Sequence, residues 1–161
     1  MNHIVAATEM VPVRSNWPLW IVVHTAAADR KGVTLEEIDR WHKENGWNGV
    51  GYHVVIEDDG ALRSGRAYWE RGAHVRGLNS KSIGICVTGH GDLYDFNDAQ
   101  YEALIPLICK LARRFNVSAD HVIGHREAGT LAGAPNPGKS CPGSKVNMVD
   151  IREQTARGLE L

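Results

Sequence analysis

Leu19-Trp20-Ile21-Val22-Val23-His24-Thr25 is the stretch from which the fold class can be read. Its apolar residues follow one another without alternation, and the run ends on two polar ones. A continuous apolar run of strand length is the pattern of a central strand covered on both faces. Other strands follow from it. Gly51 to Glu57 is rich in β-branched residues. Asp58-Asp59-Gly60 is a tight-turn signal, after which Ala61 to Arg63 returns as a short hairpin partner. Ser82 to Thr88 alternates Ile83, Ile85 and Val87 with small residues until Gly89-His90-Gly91-Asp92 breaks it. His121 to Gly124 reads as one more short strand.

Helical periodicity fills the intervals. Thr34-Leu35-Glu36-Glu37 has the form of a capping box, Leu35, Ile38 and Trp41 (with His42) make an apolar stripe, and Gly46 stops it. Asn97-Asp98-Ala99-Gln100 opens the longest helix. Its inward face is Tyr101, Leu104, Ile105, Ile108, Leu111, Ala112 and Phe115, and Pro106 inside it predicts a kink. Asn147 to Arg157 is a closing helix with Met148, Val149, Ile151 and Thr155 partly inward. Residues 129 to 144 hold three prolines and four glycines, the composition of a functional loop without helix. Gly65 to Lys81 has no clear period. Strands alternating with helices give an α/β fold, with a mixed central sheet of about five strands flanked by about three helices. The expected organisation is a single domain over 1–161, in which residues 1–18 form an extended N-terminal arm.

Composition narrows the function classes. The chain has 161 residues, 43% of them hydrophobic and 23% charged, with a formal net charge of -1. That balance offers no basic excess for nucleic acid or anionic membranes. Three cysteines, an odd number, do not make a disulfide framework. Met1 to Val13 lacks the basic and apolar blocks of a secretory signal peptide, and no apolar stretch reaches the length of a membrane span.

The chemistry gathers near the C-terminus. Gly124-His125-Arg126-Glu127 and Lys139-Ser140-Cys141-Pro142 bring a histidine, a lysine and a cysteine into one Gly/Pro-rich stretch. A catalytic zinc keeps three protein ligands and one open position. His24, ending the central strand, is the best third candidate beside His125 and Cys141. Two neutral imidazoles and a thiolate would leave a net charge of about +1 on the site, enough to acidify a bound water. No short-spaced signature of the His-Glu-x-x-His kind is present, and a lone histidine at a strand end is more often simply hydrogen-bonded. Cys86 and Cys109 read as small core residues. Cys141 stands near Lys139, whose charge lowers a thiol's pKa, so both a metal ligand and a nucleophile fit.

Tyr52 and His53 are neighbours in a strand and point to opposite faces. Tyr52 suits a donor to a developing oxyanion or to a metal-bound water, or else is an ordinary core tyrosine. Lys139 suits the same oxyanion as a point charge, or else is a solvated loop lysine. Glu127 reads either as a brace for a ligand or for Arg126, or as a surface ion pair.

In chain order, these pieces join Ile38 to Trp47, Val50-Gly51-Tyr52-His53, Gly72-Ala73-His74-Val75-Arg76-Gly77-Leu78-Asn79 and Ser82-Ile83-Gly84-Ile85-Cys86. With Ile21 to His24 and the two C-terminal motifs, they resemble the type 2 zinc N-acetylmuramoyl-L-alanine amidases. That family shares its fold with peptidoglycan recognition proteins. The resemblance runs from about Trp20 to Glu153 and is nearest to the short single-domain bacteriophage lysozyme-like amidases. It implies one zinc per chain held by His24, His125 and Cys141, with Tyr52 and Lys139 catalytic. It also implies that His53, His74 and Asn79 lie in or near the groove for the glycan-peptide. The loop from Gly129 to Gly138 looks longer than in the shortest phage relatives, which bears on groove shape.

The implied reaction is hydrolysis of the amide between N-acetylmuramic acid and L-alanine, with bacterial peptidoglycan as partner and a diaminopimelate-type stem expected. The chain is expected to be a monomer without membrane insertion. It would accumulate in the host cytoplasm until another factor releases it to the wall. Two other readings compete: a peptidoglycan-binding module of the same fold without catalysis, and a cysteine peptidase using Cys141.

Overall fold

The computed structural model describes residues 17–135 and 138–161. The expected N-terminal arm lies outside the described residues except for Trp17 and Pro18. The strands are β1 (Trp20–Thr25), β2 (Val54–Ile56), β3 (Leu62–Ser64), β4 (Ser82–Val87) and β5 (Val122–Gly124). They form one sheet in the order β3-β2-β4-β1-β5. β3 pairs antiparallel with β2, and the remaining pairings are parallel. The sheet is mixed, as the patterning predicts. Its centre is the apolar run: Ile21, Val22 and Val23 are all fully buried between β4 and β5.

The helices are α1 (Leu35–Glu44), α2 (Asp98–Phe115), α3 (Ala128–Ala132) and α4 (Met148–Leu159). Two of their starts follow directly from the sequence. Thr34 accepts from the Glu37 N–H while the Glu37 carboxylate accepts from the Thr34 N–H, and Asn97 and Gln100 do the same for α2. Gln100 also reaches the end of β4, its side-chain amide donating to the Thr88 carbonyl at 2.9 Å. α2 runs through Pro106 without a break. The proline occupies an exposed position, where water can take the carbonyl bond its missing N–H leaves.

The two faces of the sheet differ. On one, Ile21, Val23, Ile83, Ile85 and Val122 pack against Leu104, Ile108 and Leu111 of α2 and Met148 and Ile151 of α4. On the other, the cover is divided. Val55 and Cys86 lie under Ile38 of α1, and Val22 and Ile123 lie under Val75, Leu78 and Ala128. The candidate site opens in the gap between these two smaller clusters.

Several expectations need correction. Among the described residues four α-helices accompany the sheet, in keeping with the expected three or so; the one not foreseen is Ala128–Ala132, a short helix reaching into the stretch read as helix-free. Its residues, Ala-Gly-Thr-Leu-Ala, are compatible with a turn and a half of helix. The prolines that suggested a loop begin only at Pro135, after Gly133 has ended the helix in a left-handed conformation. Val149 is 57% exposed on α4, so the inward stripe there is Met148, Ile151 and Thr155. Leu107 of α2, left out of the expected stripe, is buried, since the flanking sheet and α4 cover a wider arc than one helical stripe. β2 begins at Val54, so Tyr52 and His53 precede the ladder.

Glu127 braces no candidate ligand side chain. Its carboxylate takes both Arg152 guanidinium nitrogens at 2.8 and 2.9 Å and the Gly124 N–H at 2.8 Å. The fork ties the end of β5 to α4. Burial pushes the Glu127 carboxyl up, but Arg152, the Gly124 N–H and the charge of Arg126 outweigh it and hold the group below its ordinary value. A depressed folded-state pKa adds stability above the unfolded value and loses it as pH falls through the folded one. Glu127→Gln should therefore cost about 1.5–3 kcal/mol at pH 7. Denaturant titrations should find that difference shrinking as pH falls below about 4.5. A pH-independent difference would contradict this account of the pair.

Candidate metal centre and active site

The candidate ligands meet because adjacent parallel strands end together. His24 is the penultimate residue of β1, and β1 pairs with β5 in the register Val23↔Gly124. One residue further, His125 leaves β5 beside His24, and the two ring centroids are 4.9 Å apart. Crevices outside the carboxyl ends of parallel strands are where open α/β sheets place their ligands.

Cys141 arrives from the loop before α4. Its sulfur lies 3.5 Å from His24 Nδ1 and accepts the Thr25 N–H at 3.3 Å. Its carbonyl accepts from the Arg126 N–H at 2.6 Å. Arg126 also donates through its guanidinium to the Gly143 and Val146 carbonyls. Asp92 holds the other side, accepting from the Ser140 hydroxyl at 2.7 Å and the Ser144 N–H at 2.8 Å. Backbone packs directly on backbone here. A Cβ on Gly91 would stand 1.8 Å from the Pro142 carbonyl oxygen, and one on Gly143 would stand 1.9 Å from the Gly91 carbonyl carbon. Glycine is required at both positions for the cysteine loop to reach the strand ends.

One ligand atom from each of His24, His125 and Cys141 can be chosen so that all three lie within 4.8 Å of one another. In a tetrahedral zinc site the usual bond lengths separate a nitrogen and a sulfur ligand by about 3.6 Å. The 3.5 Å between Cys141 Sγ and His24 Nδ1 matches that spacing. The donor set, two imidazoles and one sulfur, suits the same ion. The residues present thus fit a divalent metal with one position left open.

The electrostatics separate the competing roles of Cys141. Burial pushes its thiol up to about 11, against the smaller pull of the Thr25 N–H and Lys139. Burial first, and the neighbouring His74 and His125 next, hold His24 well below its ordinary value. A cysteine nucleophile needs the opposite arrangement, a depressed thiol beside a basic imidazole. A metal would displace the thiol proton itself.

Tyr52 faces the site, its ring centroid 5.0 Å from that of His24. Burial raises its hydroxyl well above the ordinary value, with the nearby Cys86 and Cys141 adding to the effect, so it remains protonated and able to donate. Lys139 is exposed on the cysteine loop, near enough to lower the pKa of both His125 and Cys141. Helical periodicity puts His42 beside the apolar stripe of α1. Its Nδ1 accepts the Gly51 N–H at 2.9 Å, and its ring lies 5.5 Å from Tyr52 and 4.6 Å from Trp47. That contact fixes the backbone that delivers Tyr52. Trp47, 42% exposed, continues the aromatic row to the surface.

Of the three residues expected in or near the groove, His53 and His74 are buried and Asn79 is half-buried. His53 is 1% exposed; its Nδ1 accepts from the Gly84 N–H and its Nε2 donates to the Glu70 carbonyl, so neither nitrogen is offered to a ligand. Asn79 uses its side-chain oxygen to accept the His74 and Val75 N–H groups at 2.7 and 2.8 Å. His74 lies behind His24, with His24 Nε2 2.8 Å from His74 Nδ1. Sequence reasoning gives Asp92 and Ser82 no role and names Arg126 only as a group that Glu127 could brace. Their roles depend on contacts 17 to 52 residues away or on a neighbour already in place, and no local pattern marks them.

Comparison with known proteins agrees with this geometry. The family model for N-acetylmuramoyl-L-alanine amidase matches residues 14–144. The endolysin of Klebsiella phage KP32 is 41% identical over 97 residues, covering 56% of this chain and 64% of that protein. The chain thus matches slightly under two thirds of that relative's length. Among solved structures, the N-acetylmuramoyl-L-alanine amidase LysC from Clostridium intestinale superposes with a TM-score of 0.74 at 28% identity, covering 86% of each chain. Drosophila PGRP-LB, at 22% identity and a TM-score of 0.68 over 81% of this chain and 77% of its own, shares the fold. With more than half its length matched by one family model, and with that family's fold, the chain belongs to the N-acetylmuramoyl-L-alanine amidase family.

Proposed function

We propose that the chain is a zinc-dependent peptidoglycan hydrolase that cleaves the amide between N-acetylmuramic acid and the L-alanine of the stem peptide. The observation that carries this reading is the meeting of His24, His125 and Cys141, whose ligand atoms lie within 4.8 Å of one another, with the Tyr52 ring beside them. The family and the relatives named as endolysins support the substrate class. Compared with a non-catalytic binding module, this chain keeps the full donor set and both candidate catalytic groups.

Zinc bound by these three residues would supply Lewis acidity and an acidified water. The protein's own groups do the rest. Tyr52, held against His24 and backed by His42, donates a hydrogen bond at the reacting carbonyl. Lys139 brings a positive charge to the same rim, where negative charge develops on the carbonyl oxygen. The Arg126 and Asp92 contacts hold the Cys141 loop so that Lys139, two residues before the cysteine, stays at that rim. The chain acts as a monomer on the wall of a host in whose cytoplasm it accumulates, and a separate factor releases it. The relatives named as phage endolysins support action on a host wall. Among the described residues no helix is long and apolar enough to cross a membrane.

Digestion of purified peptidoglycan tests the reaction. Mass analysis should find free stem peptides and intact glycan strands, and a chelator should abolish both; new reducing sugar ends would instead mean a glycosidase. Cys141→Ser should lower activity by at least about 100-fold and leave the purified protein short of stoichiometric zinc. Full activity in that variant would remove Cys141 from the site. Tyr52→Phe should lower kcat by about 100-fold with KM nearly unchanged, as loss of one donor to the developing oxyanion does. A rise in KM at constant kcat would make Tyr52 a binding residue.

A further inference from the structure

We propose that His74, with Ser82 behind it, is a positioning residue that fixes which nitrogen of His24 carries the proton and so aims the other at the metal. The inference rests on the metal centre proposed above and assigns His74 a task other than contact with the glycan-peptide.

The proton positions follow from the hydrogen bonds. Ser82 Oγ lies 2.7 Å from the Leu78 carbonyl, which can only accept, so the single hydroxyl proton goes there. Ser82 Oγ is also 3.3 Å from His74 Nε2 and must accept at that contact, which puts the His74 proton on Nε2. His74 Nδ1 then carries a lone pair, 2.8 Å from His24 Nε2. His24 therefore donates from Nε2, and its Nδ1 is left as a lone pair facing Cys141 Sγ at 3.5 Å. The chain Leu78, Ser82, His74, His24 has one consistent direction when both rings are neutral. Metal-bound histidines commonly hold their second nitrogen in this manner, with a carbonyl or carboxylate as acceptor. Here a second imidazole takes that place.

The fold makes a dedicated slot for this ring. A Cβ on Gly84 of β4 would lie 2.7 Å from His74 Cγ, and one on Gly72 would lie 2.4 Å from His74 Cδ2. Asn79 fixes the backbone on either side of the imidazole by accepting the His74 and Val75 N–H groups. His74 is 9% exposed and Ser82 fully buried, and both ring nitrogens of His74 are in use. A substrate would find no free polar atom on that ring.

The test is zinc affinity, measured by competition with a chromophoric chelator, alongside long-range nitrogen–proton spectra of the imidazoles. In the zinc-free wild-type protein His24 should be protonated at Nε2. His74→Leu, which removes the acceptor, should weaken zinc binding by about 10- to 100-fold. His74→Asn, whose side-chain oxygen can accept near the Nδ1 position, should recover most of that loss. Gly84→Ala, which crowds the slot, should weaken binding in the same direction. A folded His74→Leu protein with wild-type zinc affinity would overturn the proposal. So would a wild-type spectrum with His24 protonated at Nδ1, and that measurement decides the matter if the variants do not fold. Wild-type protein that binds no zinc would overturn the metal centre and this inference with it. Normal wild-type affinity with an indifferent His74→Leu variant would overturn this inference alone.

Discussion

The parallel pairing of β1 with β5 is the constraint on which the site depends. Its register sets Val23 opposite Gly124, so the next residue of each strand is a histidine, and the two imidazoles leave the sheet side by side. A slip of one residue would turn His24 to the other face, into the apolar layer under α2 and α4. The buried run Ile21-Val22-Val23 prevents that slip, because it must satisfy both layers at once. The strand at the centre of the core therefore also places the first ligand.

The third ligand depends on a different kind of contact. Cys141 is carried on irregular chain, which by itself would not hold a sulfur to a few tenths of an ångström. Gly91 and Gly143 let two backbones touch, and Arg126 and Asp92 close hydrogen bonds on either side. Together these contacts hold the Cys141 sulfur beside the strand ends. Its cost is a buried thiol and a buried imidazole with no proton transfer favoured between them, since burial drives both to their neutral forms. Two neutral nitrogen donors and a sulfur turned toward one point make a poor nucleophilic pair but a good pocket for a divalent cation.

How much of this the sequence discloses depends on the range of the interaction. The central strand, the capped starts of α1 and α2 and the hairpin turn at Asp58 are local patterns, and they appear where periodicity puts them. The helix at Ala128–Ala132 was hidden by the proline-rich composition that follows it. The ligand set was suggested by motifs spread over the whole chain; spacing alone could not join His24 to a cysteine 117 positions later. Burial changes how the inner residues read. His53, His74 and Asn79 look like polar groups suited to a groove, yet their polar atoms are largely engaged with backbone or with another histidine. Nothing in a linear pattern distinguishes a histidine that meets substrate from one that holds a neighbour in place.

The most direct test of the account is the zinc absorption edge of the purified protein, whose fine structure reports the identity and distance of each ligand. The account predicts one zinc per chain, with two nitrogen scatterers at about 2.0–2.1 Å, one sulfur at about 2.3 Å and one further light atom. A first shell without sulfur, or protein that takes up no stoichiometric zinc, would contradict it.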